Sequence, residues 1–214
     1  MLATRNAHKL TELRRILTAA GLDVELVSVE EYADAPEVAE TGDSFEANAL
    51  LKARAIAHAT GEIAIADDSG LTVDALNGMP GIFSARWSGA LCPDPANCDD
   101  ANLRLVLSQV ADVPDGRRGA SFVCAAAIVL PDGAEIVAHG RVFGSLIRTP
   151  RGNNGFGYDP IFVPTGYDRT TAEMSADEKD AISHRGEAFR KLARMLAGEP
   201  AATRANGGPP SDLG

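Results

Sequence analysis

The sequence predicts an α/β domain with a mixed β-sheet flanked by helices, and three observations carry that reading. Segments of helical and strand periodicity interleave towards both ends of the chain. A run of strand candidates forms a meander in the middle. Hydrophobic residues make up 45% and charged residues 23% of 214, enough for one sizeable core.

The elements follow in order. Leu10, Leu13, Ile16 and Leu17 fall on one helical face, so a first helix begins near Ala7 and stops at Gly21. A second helix runs over about residues 44–60, with Asp43 and Glu46 spaced as a capping box. Residues 62–66 read as a short buried strand ending at Asp67-Asp68-Ser69-Gly70. Leu103, Val106, Leu107 and Val110 mark a third helix. Strand candidates follow at 119–130, 134–140 and 141–147, the first two joined by Pro131-Asp132-Gly133. Residues 152–159 are a glycine-rich loop, and 161–163 a short strand. Ser175 and Glu178 form a second capping box; the last helix begins near Ser183 with Phe189, Leu192, Ala193 and Leu196 on one face. The domain, in one piece or two intimately joined lobes, covers residues 1–197, and the Gly/Pro/Ala-rich 198–214 predicts a disordered tail.

Composition excludes several roles. A net charge of −10 makes the surface repel nucleic acid, so an anionic ligand needs a local concentration of cations. No apolar run approaches the roughly 18 residues of a membrane span. The first residues lack the apolar stretch of a signal peptide, so the expected location is the cytoplasm. Cys92, Cys98 and Cys124 have no zinc spacing and are expected as free thiols.

Five segments carry candidate chemistry. Thr4, Arg5, Asn6, Ala7, His8 and Lys9 sit where a strand gives way to a helix, and free N–H groups there favour an anion; taken alone, the segment reads better as a polar N-cap with a solvated lysine. Asp67 and Asp68 are adjacent carboxylates that suit Mg²⁺, although Asp-Ser-Gly also makes a tight turn. Glu40-Thr41-Gly42 precedes a helix on which Asn48 and Lys52 share a face, which suits a further acid and a phosphate-reaching lysine, or simply a capped, solvated helix. In Gly155-Phe156-Gly157-Tyr158-Asp159-Pro160 the glycines let backbone approach a ligand and an aromatic can stack on a flat base. Lys179, His184 and Arg185 place cations around a helix N-terminus, against the helix dipole, which suggests a ligand nearby.

In this order, and with Phe45-Glu46-Ala47-Asn48-Ala49, Pro80-Gly81 and Ser84-Ala85-Arg86 between them, the motifs resemble the inosine/xanthosine triphosphate pyrophosphatases, which clear deaminated purine nucleotides. The resemblance spans residues 1 to about 197. It implies an elongated mixed β-sheet with two α/β lobes around a central substrate cleft, a homodimer, and Mg²⁺-dependent hydrolysis of ITP, dITP and XTP to the monophosphate and pyrophosphate. It further implies Asp68 as proton acceptor and metal ligand and Glu40 as second metal ligand. Thr4 to Lys9 and Lys52 would hold the triphosphate, Ser69 would touch the substrate, and Phe156, Gly157, Tyr158, Asp159, Lys179, His184 and Arg185 would hold base and sugar.

One departure stands out. Family members carry several apolar residues ahead of the phosphate loop, whereas only Met1, Leu2 and Ala3 precede Thr4 here. The expectation is either a start that lies further upstream or a short strand with a floppier phosphate loop. A Maf-like pyrophosphatase lacks support because its arginine-rich phosphate loop is absent. A non-catalytic nucleotide-binding module would not need the acidic pair.

Overall fold

The structure, a computed structural model, describes residues 11, 13–15, 18, 26–32, 35–92, 94 and 97–196. The strand expected at the start of the chain, the ends of the first helix and the tail over 198–214 lie outside the described residues. Residues 11, 13–15 and 18 are helical, and Leu13 is buried in the core as its spacing predicts.

Four strands form one sheet in the order β1 (Ala64–Val73), β2 (Gly119–Val129), β3 (Glu135–Leu146) and β4 (Phe162–Pro164). All pairings among the described residues are antiparallel. Helix α1 (Phe45–Thr60) covers one face, where Ala49, Ala53 and Ile56 meet Ala64, Ala66, Ala125 and Ala127. Helix α4 (His184–Leu196) covers the other, packing Ala188, Phe189 and Leu192 on Cys124, Ala126 and Ile128. Such small side chains let both helices lie close to the sheet. Helix α2 (Asp99–Gln109) closes the far end with Leu103 and Val106 against Leu71, Val73 and Phe162. A short helix, α3 (Ala176–Ile182), leads into α4 and opens with the expected capping box of Ser175 and Glu178.

Four expectations are corrected. Strand β1 does not end at the acidic pair but runs through it, because Leu71 and Val73 continue the buried alternation to the far core. The candidates at 134–140 and 141–147 are one strand, since residues 141–145 keep the same register against β2. Helix α1 is capped by Ser44, whose hydroxyl accepts from Ala47 N–H, one residue later than the predicted Asp43 box. Leu196 is exposed rather than on the buried face.

Glycines set the distance between layers. A side chain at Gly140 on β3 would collide with the His184 carbonyl oxygen and the Ala188 backbone nitrogen, so its absence seats the start of α4 on the sheet. Gly70 on β1 similarly makes room for the Ser84 hydroxyl and the Gly81 carbonyl of the 3-10 turn Gly81–Arg86. Cysteine pairing departs from expectation: Cys92 and Cys98 form a disulfide, and only Cys124 is a free, buried thiol. The two sulfurs meet because the 3-10 turn Gly89–Leu91 ends at Cys92 and Cys98 is the N-cap of α2. Among the described residues no helix is long and apolar enough to cross a membrane.

Candidate active site

Strand alternation separates the adjacent acids. Asp68 pairs in register with Ala125 and so faces α1, whereas Asp67 pairs with Ala126 and faces α4. Each carboxylate therefore meets a different helix, and the two share no face.

On the α1 side, Asn48 Nδ2 donates to Asp68 Oδ2 at 3.0 Å, and Asn48 Oδ1 accepts from Gly42 N–H at 2.8 Å. One buried amide thus positions both the Asp68 carboxylate and the loop that carries Glu40. Lys52, one turn further along α1, reaches Glu40 Oε1 at 2.7 Å and lies 3.8 Å from Asp68 Oδ1. Burial pulls the Lys52 ammonium down, but Asp67, Asp68 and Glu40 together outweigh it and hold its pKa above the ordinary value. Arg86 adds a rim contact to the other Glu40 oxygen at 3.2 Å. The Asp68 backbone turns its own carboxylate towards Ser69 N–H, 3.0 Å from Oδ1.

On the α4 side, Arg185 Nε donates to Asp67 Oδ2 at 3.3 Å and Nη2 to the Ser69 hydroxyl at 2.8 Å. The pair is 2% exposed on both side chains. The cation at the helix N-terminus is therefore balanced by a carboxylate from the sheet, while Ser183 caps the helix through Gly186 N–H. His184 is buried and stacks on Phe122 with centroids 5.0 Å apart and planes 13° from parallel.

The glycine-rich loop folds around Asp159. Its carboxylate accepts Phe156 N–H, the Thr171 hydroxyl and the Lys179 ammonium. Gly155 has φ +75°, and a side chain there would run into that carboxylate. Phe156 is left half-buried with Lys179 Nζ 4.9 Å and Arg185 Cζ 5.9 Å from its ring centre. Tyr158 lines the cavity but is otherwise buried in the far core, and its hydroxyl donates to the Ser84 carbonyl at 2.7 Å. Burial, then the nearby Asp99 charge, push its phenol well above the ordinary value, so it stays a donor.

One cavity joins the two sides, lined by Glu40, Asp68 and Ser69 at one end and Phe156, His184 and Arg185 at the other. The structure thus brings together Glu40, Asp68, Ser69, Phe156, Gly157, Tyr158, Asp159, Lys179, His184 and Arg185 in its lining, with Lys52 behind Glu40 and Asp68. Thr4, Arg5, Asn6, Ala7, His8 and Lys9 lie outside the described residues. Sequence reasoning missed Asp99 and Phe122, which line the same cavity. Asp99 resembles any acid in a first helical turn, and Phe122 any apolar residue of a long strand. Asn48 carried a signal, its shared face with Lys52.

Fold and cleft together define a class: an α/β protein equipped for an anionic ligand that carries a flat ring. Comparison with known proteins narrows it. Residues 1–195 match the Ham1 family, and the chain belongs to that family. It is 59% identical to a dITP/XTP pyrophosphatase of Streptomyces avermitilis over 92% of this chain and 96% of that one. A dITP/XTP pyrophosphatase of Frankia alni is 60% identical with the same coverage. Among solved structures, a nucleoside-triphosphatase, dITP/XTP pyrophosphatase, of Mycobacterium abscessus superposes with a TM-score of 0.72 at 55% identity, covering 91% of this chain and 97% of that one. A HAM1 protein of Coxiella burnetii gives 0.81 at 41% identity, covering 92% and 97%.

Proposed function

We infer that this chain is a nucleoside triphosphate pyrophosphatase that hydrolyses ITP, dITP and XTP to the monophosphate and pyrophosphate. The observation that carries the reading is the single cavity in which Asp68 and Glu40 face an aromatic ring flanked by Lys179 and Arg185. Relatives at 59% and 60% identity bear the corresponding name.

Asp68 is the group placed to take the proton of an attacking water. Its carboxylate is buried, and Asn48 and Ser69 N–H fix its orientation, so it is pre-positioned. Lys52, 3.8 Å from Asp68 Oδ1, is the cation assigned to absorb charge that develops on the leaving pyrophosphate. Thr4 to Lys9 supply the remaining anion contacts in this reading.

Glu40 and Asp68 would hold Mg²⁺. Both offer hard carboxylate oxygens and both approach one ammonium, so each already faces a cation's position. Mg²⁺ commonly binds through one or two carboxylates and takes its remaining ligands from substrate phosphates and water. Bound there, Mg²⁺ supplies Lewis-acid polarisation of the phosphoryl oxygens.

Base choice falls to the other end. Phe156 stacks on the purine, and donors from His184 and Arg185 meet the 6-keto oxygen. The adenine amino group would leave those donors unpaired, worth roughly 10⁴-fold in a desolvated site. The working form is taken to be a cytoplasmic homodimer, which sedimentation can check.

Pyrophosphate release from ITP, XTP, ATP and GTP, with Mg²⁺ and with chelator, tests the whole reading. Metal-dependent release from ITP and XTP with ATP and GTP nearly inert supports it. Absence of release from every purine triphosphate returns the chain to a nucleotide-binding module.

A further inference from the structure

The reading above gives Asp68 a task and leaves its neighbour without one. Asp67 does not line the cavity, yet it is a buried charge on β1, and burying a carboxylate is costly unless it is paired. Its partner is Arg185, with both side chains 2% exposed. The same guanidinium donates to Ser69 at 2.8 Å and sits over Phe156 at 5.9 Å. Ser69 in turn donates to Asp67 Oδ2 at 3.4 Å. Carboxylate, hydroxyl and guanidinium close a small ring of contacts on the α4 face of β1.

A guanidinium on the second residue of a helix has several rotamers and would otherwise be free to swing towards the phosphates, where the negative charge of the ligand lies. Anchored on Asp67, it is held away from them and beside the aromatic ring. Asp67 and Asp68 are consecutive, so the strand that fixes the proton acceptor on one face fixes the arginine on the other.

We propose that Asp67 is a positioning residue for base recognition: it holds Arg185 against Ser69 and Phe156 so that the guanidinium reads the purine rather than the phosphates. This rests on the reading of Arg185 as a base-contacting residue. A role in stability alone would lower the melting temperature without altering which base is preferred.

The test compares wild type, Asp67→Asn, Arg185→Met and the double variant in Mg²⁺-supported pyrophosphate release from ITP and ATP. Asp67→Asn is expected to raise KM for ITP roughly 10- to 100-fold, the scale of a 1 Å misplacement, with a smaller fall in kcat. The preference for ITP over ATP should shrink by a similar factor, and the double variant should lose no more preference than Arg185→Met alone. Unchanged KM and preference in Asp67→Asn, or losses that multiply in the double variant, would overturn the proposal. Should Asp67→Asn fail to fold, Asp67→Glu keeps the charge on a longer arm. It is expected to shift KM and preference in the same direction by less, and wild-type values there would overturn the proposal equally. An inactive wild type would instead sink the functional reading and this inference with it. An active wild type matched by its Asp67 variants sinks the inference alone.

Discussion

The two ends of the cleft handle charge in opposite ways. At the α1 end, Lys52 is shared between Glu40 and Asp68, Arg86 leans in from a half-exposed rim, and Glu40 itself is 27% exposed. At the α4 end each cation has its own carboxylate: Arg185 with Asp67, Lys179 with Asp159, and the acids are 2% and 3% exposed. A shared, wetted cluster can exchange partners when a triphosphate and its cation arrive. Carboxylates as deeply buried as Asp67 and Asp159 rearrange less readily, and that end keeps its shape. The difference suits one end to charge that appears during reaction and the other to discrimination between bases.

The largest expected effect breaks the α1 end. Asp68→Asn should lower turnover by roughly 10²- to 10⁴-fold, the usual worth of a positioned base, while calorimetry still detects nucleotide binding. Near-normal turnover would move the proton acceptor elsewhere. Next comes the stability contrast between the ends. Arg185→Met removes the buried cation paired with Asp67 and should cost about 3–5 kcal/mol in urea unfolding. Lys52→Met should cost clearly less, because Glu40 can turn to water and to Arg86. Equal losses would erase the distinction drawn here.

A third expectation concerns the edge of the cleft. The Cys92–Cys98 bridge closes a loop with a sequence separation of 6, worth about 2 kcal/mol in the chain-entropy account. A dithiol reductant should therefore lower the melting temperature, and mass spectrometry of the alkylated, unreduced protein should show a single modified cysteine. The smallest effect lies on α3. Hydrogen bonding from Ser175 N–H, then the Arg169 pair, holds the Glu178 carboxyl down at about 2 against an ordinary 4.5. A depressed carboxyl contributes stability that is present above 4.5 and disappears as pH falls through about 2. Glu178→Gln should flatten the melting curve across that acid window, and an unchanged acid limb would show the capping box adds nothing there.

Much of the architecture was legible because periodicity reports burial. The helix over about residues 44–60, the long β2 run and the Ser175 box all appear in the structure within a residue or two. Asp68 was legible as a cavity residue, but the acidic pair was misplaced as geometry. Asp-Ser-Gly is turn chemistry locally, and only the long-range pairing of Leu71 and Val73 with β2 keeps the strand going through it. For the same reason the separate faces of Asp67 and Asp68 could not be seen: opposing faces follow from an unbroken strand. Asp99 and Phe122 gave no signal at all, since their place in the cavity depends on how α2 and β2 meet residues far along the chain.

Arg118 has a consequence that reaches the cleft. Its buried guanidinium binds the carbonyls of Val110, just past the end of α2, and of Leu146 and Ile147 where β3 stops. At the opposite end of α2 the Asp99 carboxylate accepts Gly157 N–H at 2.7 Å. The helix is thus bolted to the sheet at its foot and props up the Phe156 loop at its head. It works as a strut, about 16 Å long for 11 residues, and the height of the aromatic platform is set by its length. Inserting one residue in α2 would move the prop by about 1.5 Å and swing Asp99 by about 100°. A change far from any substrate atom would then reset the width of the purine slot.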